Sequence, residues 1–418
     1  MTESARRRWR PGLTTQILIA LVLGVLLGWL WPAAGARLGI LATIFIRLVM
    51  VIIAPLVFST LVVGIAGPGE LRKLGSLALQ AVILFLVLTA VALLLAFTLA
   101  NLVQPGQGLA PPAATTASPL PAAGESFWVR LFPRSIVDAM ARGDVLQIVV
   151  FSLLFAVALA AVGERGRPML ELCRSLADVM YRFTDLVMRA APLGVLGAAA
   201  ALVSQHGLRV GQNFLWLTVA VYAGLALMLF VLYPLLCLWF RIPLAGFFRA
   251  IKEPFAIAFA TTSSAAALPK AMEVMERFGV PRRVVAFVLP TGTALNLAGS
   301  ALFIGVAALF IAQAFQISLS LGDQLRFFVV LAVASKSVAN VPRASLVALA
   351  AGLSGFGVPP EVVAAGFGFL LGIDPILDMP RTGVNTAGNC LAAALVARWQ
   401  GGFRSGREWR AGQAPPRP

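Results

Sequence analysis

The sequence predicts an all-α membrane protein of eight transmembrane helices and two re-entrant helical hairpins. Three observations carry that prediction. Of 418 residues, 60% are hydrophobic and 12% charged, with a mean hydropathy of +0.91, a balance that soluble domains do not show. The apolar runs are long enough to cross a bilayer at roughly 20 residues each. The positive charge, a formal net of +16, collects at the termini and in short connections, which must then face the cytoplasm. That clustering also argues against nucleic acid as a partner. The three cysteines (Cys173, Cys237, Cys390) lie in apolar runs and suggest no disulfide framework. The single histidine, His206, has no second histidine with which to share a metal. No nucleophile–base pair, phosphate loop or metal cluster points to an enzyme or to a cofactor.

Taken in order, residues 1–12 form a basic N-terminus carrying Arg6, Arg7, Arg8 and Arg10. The run that follows is too long for a signal-peptide core and reads as the first span, 13–32. A second span at 38–66 ends in the basic connection GPGELRKLG, so that 13–73 form a pair, and a third span occupies 74–103. Residues 104–144 read as an external connection: Gln104 to Glu125 is rich in Pro and Ala and almost uncharged, and an amphipathic stretch follows. The fourth and fifth spans (145–162 and 169–204) fill 145–204, joined by the cytoplasmic turn GERGRP. A sixth, at 209–240, opens a core of 205–398, and 399–418 are a second basic, cytoplasmic tail.

Within that core two segments break the pattern. Residues 244–278 carry TTSS in the middle of an apolar run, with Arg249 and Lys252 before it and Arg277, Arg282 and Arg283 after it. A simple crossing would strand one basic cluster outside; a hairpin does not, and irregular backbone is tolerated at depth where it lines a protein cavity. Residues 323–357, with the tip ASKSVANVPRAS, form the second such segment. Between them the seventh span is interrupted at PTGTALNLAGS, and the eighth, 360–398, carries DPILDMPRTGVNTAGN. There Asp374, Asp378, Thr382, Asn385 and Asn389 fall at helical spacing on one face, with Arg381 at its edge. Charges at that depth cost several kcal/mol and mark a solute pathway. Taken alone, Asp378 and Arg381 also fit a purely structural i, i+3 ion pair.

The order SSAAALP, NLAGS, VPRAS, DPILDMPRTGVNTAGN resembles the dicarboxylate/amino acid:cation symporter family over nearly the whole chain. The resemblance implies a homotrimer in the cell's inner (plasma) membrane with both termini cytoplasmic. It implies a scaffold of spans 1, 2, 4 and 5, and an elevator-type transport domain of spans 3, 6, 7 and 8 with both hairpins. It implies a small acidic amino acid as substrate, glutamate or aspartate. Asp378 would bind its ammonium and Arg381 its distal carboxylate, while Thr382 and Asn385 would hydrogen-bond the α-carboxylate and amino group. Ser263 and Ser264 in the first hairpin, Ser300 after the NLAG break and the backbone at Val341 would complete the cage. A C4-dicarboxylate carrier of the same fold is the alternative, disfavoured because Asp378 would face no ammonium. An anion channel or membrane sensor is the alternative of another class.

The chain also departs from the sodium-coupled pattern. Their NMDGT motif stands here as NLAGS, with Ala298 in place of the aspartate, and Asn389 replaces a second aspartate. Phe85 and Leu88 match a sodium-site tyrosine and threonine. With Asn296 left among them, little remains to hold sodium, and the expectation is sodium-independent transport, proton-linked or exchanging. Lys336 and Arg343 flank the second hairpin tip and either snorkel to external water or balance charge in the site. The titrating candidates are Asp374, Asp378 and Lys336, since lysine, unlike arginine, loses its proton readily on burial. Pro380 is expected to kink or break the last helix.

Overall fold

The computed structural model describes residues 12–66, 75–109, 129, 132–207, 210–337, 344–356 and 358–403. The basic N-terminal residues, the GPGELRKLG connection up to residue 74, much of the expected external loop, the tip residues 338–343 and the tail beyond 403 lie outside them. Among the described residues all regular structure is helical. In chain order the helices are α1 (Leu13–Leu30), α2 (Pro32–Ala66), α3 (Ser76–Val103), α4 (Ile136–Arg142), α5 (Val145–Val162), α6 (Arg167–Met188), α7 (Ala191–His206), α8 (Val210–Leu227), α9 (Tyr233–Trp239), α10 (Leu244–Thr261), α11 (Ser264–Phe278), α12 (Arg282–Leu295), α13 (Ala298–Ala314), α14 (Leu321–Ala334), α15 (Ala344–Phe356), α16 (Pro360–Leu371) and α17 (Asp374–Trp399). A one-turn π segment, Met228–Leu232, links α8 to α9, and a 3-10 turn, Ser335–Ser337, follows α14. Among the described residues, five helical stretches are long and apolar enough to cross a membrane.

The helices pack in two groups. One gathers around the 35-residue α2, which lies against α5, α6 and α7, while α1 also lies on α7. Small residues let those backbones approach. A Cβ added at Gly28 would stand 2.4 Å from the Ala200 carbonyl oxygen, and one at Gly197 would stand 2.4 Å from that of Leu38. Neither obstacle is a side chain that can swing aside. Gly28→Leu is therefore expected to prise α1 from α7 and lower stability by about 1–3 kcal/mol. A thermal melt in detergent checks this, and an unchanged midpoint contradicts it.

The second group surrounds α13 and α17, which are buried along almost their whole length. α3 and α8 pack on α13; α10, α11 and α12 pack on α17. α10 and α11 also pack on each other through a break at Thr262, which takes a left-handed conformation at φ +51°. Ser263 caps α11 by accepting the Ala266 N–H at 3.2 Å. α14 and α15 form a second packed pair.

The structure corrects three boundaries. The second helix starts at Pro32, directly after Trp31, so no connection separates it from the first. The run 169–204 is two helices that part at Arg189 and Ala190. α6 is amphipathic, with Arg182 and Asp185 exposed, and Pro192 favours a fresh start in the first turn of α7. Finally, Pro380 breaks nothing: α17 runs through it. The break comes earlier, at Gly372–Ile373, where Pro375 sits in the first turn of α17. The Ile376 carbonyl, which loses its i+4 donor to Pro380, accepts instead from the Tyr222 hydroxyl of α8 at 2.9 Å.

Candidate binding site

Two helix breaks bring the polar residues together. α12 stops at Leu295 and α13 begins at Ala298, leaving Asn296 and Leu297 out of helical conformation. The N–H groups of a first helical turn have no partner within the helix. Here Asn385 of α17 takes two of them: its Oδ1 accepts from Gly299 N at 2.8 Å and Ser300 N at 3.3 Å. Its Nδ2 donates to Ser300 Oγ at 3.0 Å. One residue on, Thr386 Oγ1 donates to Ser264 Oγ at 3.3 Å and ties α17 to the first turn of α11. Ser264 thus faces α17, whereas the Ser263 hydroxyl is engaged in the cap.

The second break places Asp374 in the first turn of α17, where the helix dipole favours a carboxylate. Arg381 lies two turns further along and is 1% exposed. Its Nη2 donates to Asp378 Oδ1 at 2.6 Å, and its Nη1 and Nη2 reach Asp374 Oδ1 at 3.2 Å. Thr382 Oγ1 donates to Asp378 Oδ1 at 3.3 Å. The guanidinium lies over the Phe303 ring, 4.3 Å from its centroid, a placement worth about 0.5–2 kcal/mol. The structure therefore contains the i, i+3 ion pair and extends it to a triad of two carboxylates and one guanidinium, a net formal charge of −1. Buried charge is tolerated only when paired and hydrogen-bonded.

Asp374, Asp378, Arg381, Thr382, Asn385, Asn389, Asn296, Ser300 and Ser264 are all buried. Val341 and Arg343 lie outside the described residues. Around the end of α12, Phe85, Leu88 and Ala298 are buried and apolar. Asn296 Nδ2 lies 2.9 Å from Asn389 Oδ1. With the Asn389 amide turned over, its nitrogen donates to the carbonyls of Asn296 at 3.1 Å and Gly292 at 3.2 Å. Lys336 turns inward: its Nζ donates to Thr89 Oγ1 at 2.6 Å and to the Leu295 carbonyl at 3.0 Å. Lys270 pairs with Glu253 of α10 and with Glu273, each at 3.1 Å.

Sequence reasoning missed Thr89, Tyr222, Phe303 and Thr386. Thr89 adjoins Leu88 and Thr386 adjoins Asn385, so each lay within reach of a motif already singled out. Nothing in the sequence marks Phe303 or Tyr222, whose roles depend on which helix packs opposite.

Long apolar helices surrounding a buried, ion-paired stripe between broken helices define an integral membrane transporter. The chain belongs to the sodium:dicarboxylate symporter family, whose model matches residues 13–399. It is 40% identical over 402 residues to a proton/glutamate-aspartate symporter of Bacillus subtilis, covering 94% of this chain and 96% of that one. A C4-dicarboxylate transport protein of Mesorhizobium japonicum is 39% identical, covering 93% of this chain and 89% of that one. A proton/sodium-glutamate symport protein of Geobacillus stearothermophilus is 36% identical, covering 94% and 95%.

Proposed function

We propose that this protein is a sodium-independent secondary transporter of glutamate or aspartate, proton-linked or exchanging. The observation that carries the reading is Asp378 beside Arg381 on one buried face. An acidic amino acid offers an ammonium to the carboxylate and a distal carboxylate to the guanidinium, whose planar fork suits bidentate recognition. Each substrate group can then take over part of the pairing that Asp378 and Arg381 give each other. Thr382, Asn385, Ser300, Ser264 and Ser263 complete the cage. The names of the Bacillus and Geobacillus relatives support this substrate class, and that of the Mesorhizobium relative supports the C4-dicarboxylate alternative. A dicarboxylate would leave Asp378 facing like charge.

The charge count supports proton linkage. A substrate of net charge −1 enters a triad of net charge −1, and a proton or a fixed cation is needed to offset it. Asp374, Asp378 and Lys336 are the candidates. Sodium is poorly suited, because a hard cation wants several oxygens with net negative charge. Phe85, Leu88, Ala298 and Asn389 supply no carboxylate.

In this reading the chain crosses the plasma membrane eight times with both termini cytoplasmic, and it assembles as a trimer. The α2-centred group is the scaffold. The group around α13 and α17 is the moving transport domain, with α10–α11 and α14–α15 as its re-entrant hairpins. Competition binding to purified protein tests the substrate: aspartate or glutamate should displace labelled ligand at least about tenfold better than succinate, the worth of one charged hydrogen bond. Succinate binding as tightly as either would favour the dicarboxylate reading.

A further inference from the structure

We infer that the Lys336 ammonium is a built-in counter-cation, which latches the second helix pair onto the core in the place where a mobile cation could otherwise sit. This deepens the sodium-independent reading above. Lys336 lies in the turn after α14, yet its ammonium reaches two other elements, α3 through Thr89 and α12 through Leu295. The Thr89 hydroxyl donates its own hydrogen to the Phe85 carbonyl at 2.7 Å. Its oxygen therefore faces Lys336 as an acceptor.

Leu295 is the last residue of α12, so its carbonyl belongs to the unfilled, partly negative end of that helix. Asn389 can supply neutral donors to the neighbouring carbonyls of Gly292 and Asn296, and Lys336 supplies the charge. Among the described ion pairs none joins Lys336 to a carboxylate. Its positive charge is therefore held by a helix end and a hydroxyl, the kind of oxygen set a monovalent cation would also accept. A cavity of about 350 Å³ opens beside the ammonium, lined by Lys336, Leu295, Thr60, Arg174, Asp178 and Tyr181. Small ions could reach the position through it.

Chemical rescue distinguishes a charge from a mere tether. Binding is measured on purified full-length protein with whichever of aspartate, glutamate or succinate the parent takes. Failure of the amino acid reading then shows in the choice of ligand and leaves the Lys336 comparison readable. Parent affinity should be the same in sodium-free buffer and in excess sodium chloride. Lys336→Met, which keeps the volume and removes the charge, should weaken binding about tenfold, and no added cation should restore it. Lys336→Ala, which leaves space, should weaken binding similarly and regain affinity with methylammonium or sodium, but not with choline.

If Lys336→Met does not fold, Thr89→Val tests the same contact by removing the acceptor, and should weaken binding in the same direction. Parent-like affinity in Lys336→Met or Thr89→Val overturns the inference. So does a Lys336→Ala loss that no small cation reverses, which would make Lys336 a structural tether only.

Discussion

Arg381→Ala is expected to lower affinity for acidic substrates at least tenfold, a loss on the order of 1.5–3 kcal/mol for a charged hydrogen bond. A neutral amino acid should gain relative to aspartate in the same variant. The guanidinium is almost fully enclosed, lies over Phe303 and is shared by Asp374 and Asp378. The two carboxylates that Arg381 pairs with would remain in the variant, so an entering distal carboxylate would meet like charge where the guanidinium had been. Stability should fall as well. Removing one member of a buried ion cluster typically costs about 3–5 kcal/mol, because the remaining charges stay buried without compensation. Comparing aspartate with a neutral amino acid on the same preparation separates the two effects, since misfolding lowers both. Equal affinity of parent and variant for aspartate would contradict the assignment of Arg381.

Asp378→Asn is expected to abolish amino acid binding while harming dicarboxylate binding much less. The amide keeps the shape and removes the charge that faces the ammonium. A buried ammonium without a counter-charge costs several kcal/mol. The variant also releases Arg381 from its shortest ion pair, 2.6 Å, leaving the guanidinium to Asp374 and to the ligand. Titrations of succinate and aspartate side by side report the outcome. Equal losses for both ligands would show that Asp378 only positions Arg381.

Much of this site is legible in the sequence because it lies on one helix. The stripe from Asp374 to Asn389 follows from spacing alone, and the triad with Arg381 is local, within two turns. Pro380 shows where local reasoning stops. Its missing donor is a sequence fact, but the remedy is the Tyr222 hydroxyl from a helix about 150 residues away. The helix end lies instead at Gly372–Ile373, just before Pro375, where the chain can restart at a first-turn proline. Asn385 is similar. Its helix face is predictable, but its grip on the Gly299 and Ser300 N–H groups requires knowing that α13 begins opposite. Lys336 could equally have snorkelled to water; only the placement of Thr89 and the end of α12 turns it inward.

Flux in proteoliposomes tests the central claim most directly. Labelled aspartate, glutamate and succinate are offered in turn, with the sodium gradient and the pH gradient imposed separately. The expected result is concentrative uptake of aspartate or glutamate in the absence of sodium, driven by an inward proton gradient or by counter-substrate, with succinate carried poorly. Uptake that requires sodium, or that favours succinate over both amino acids, would contradict the account.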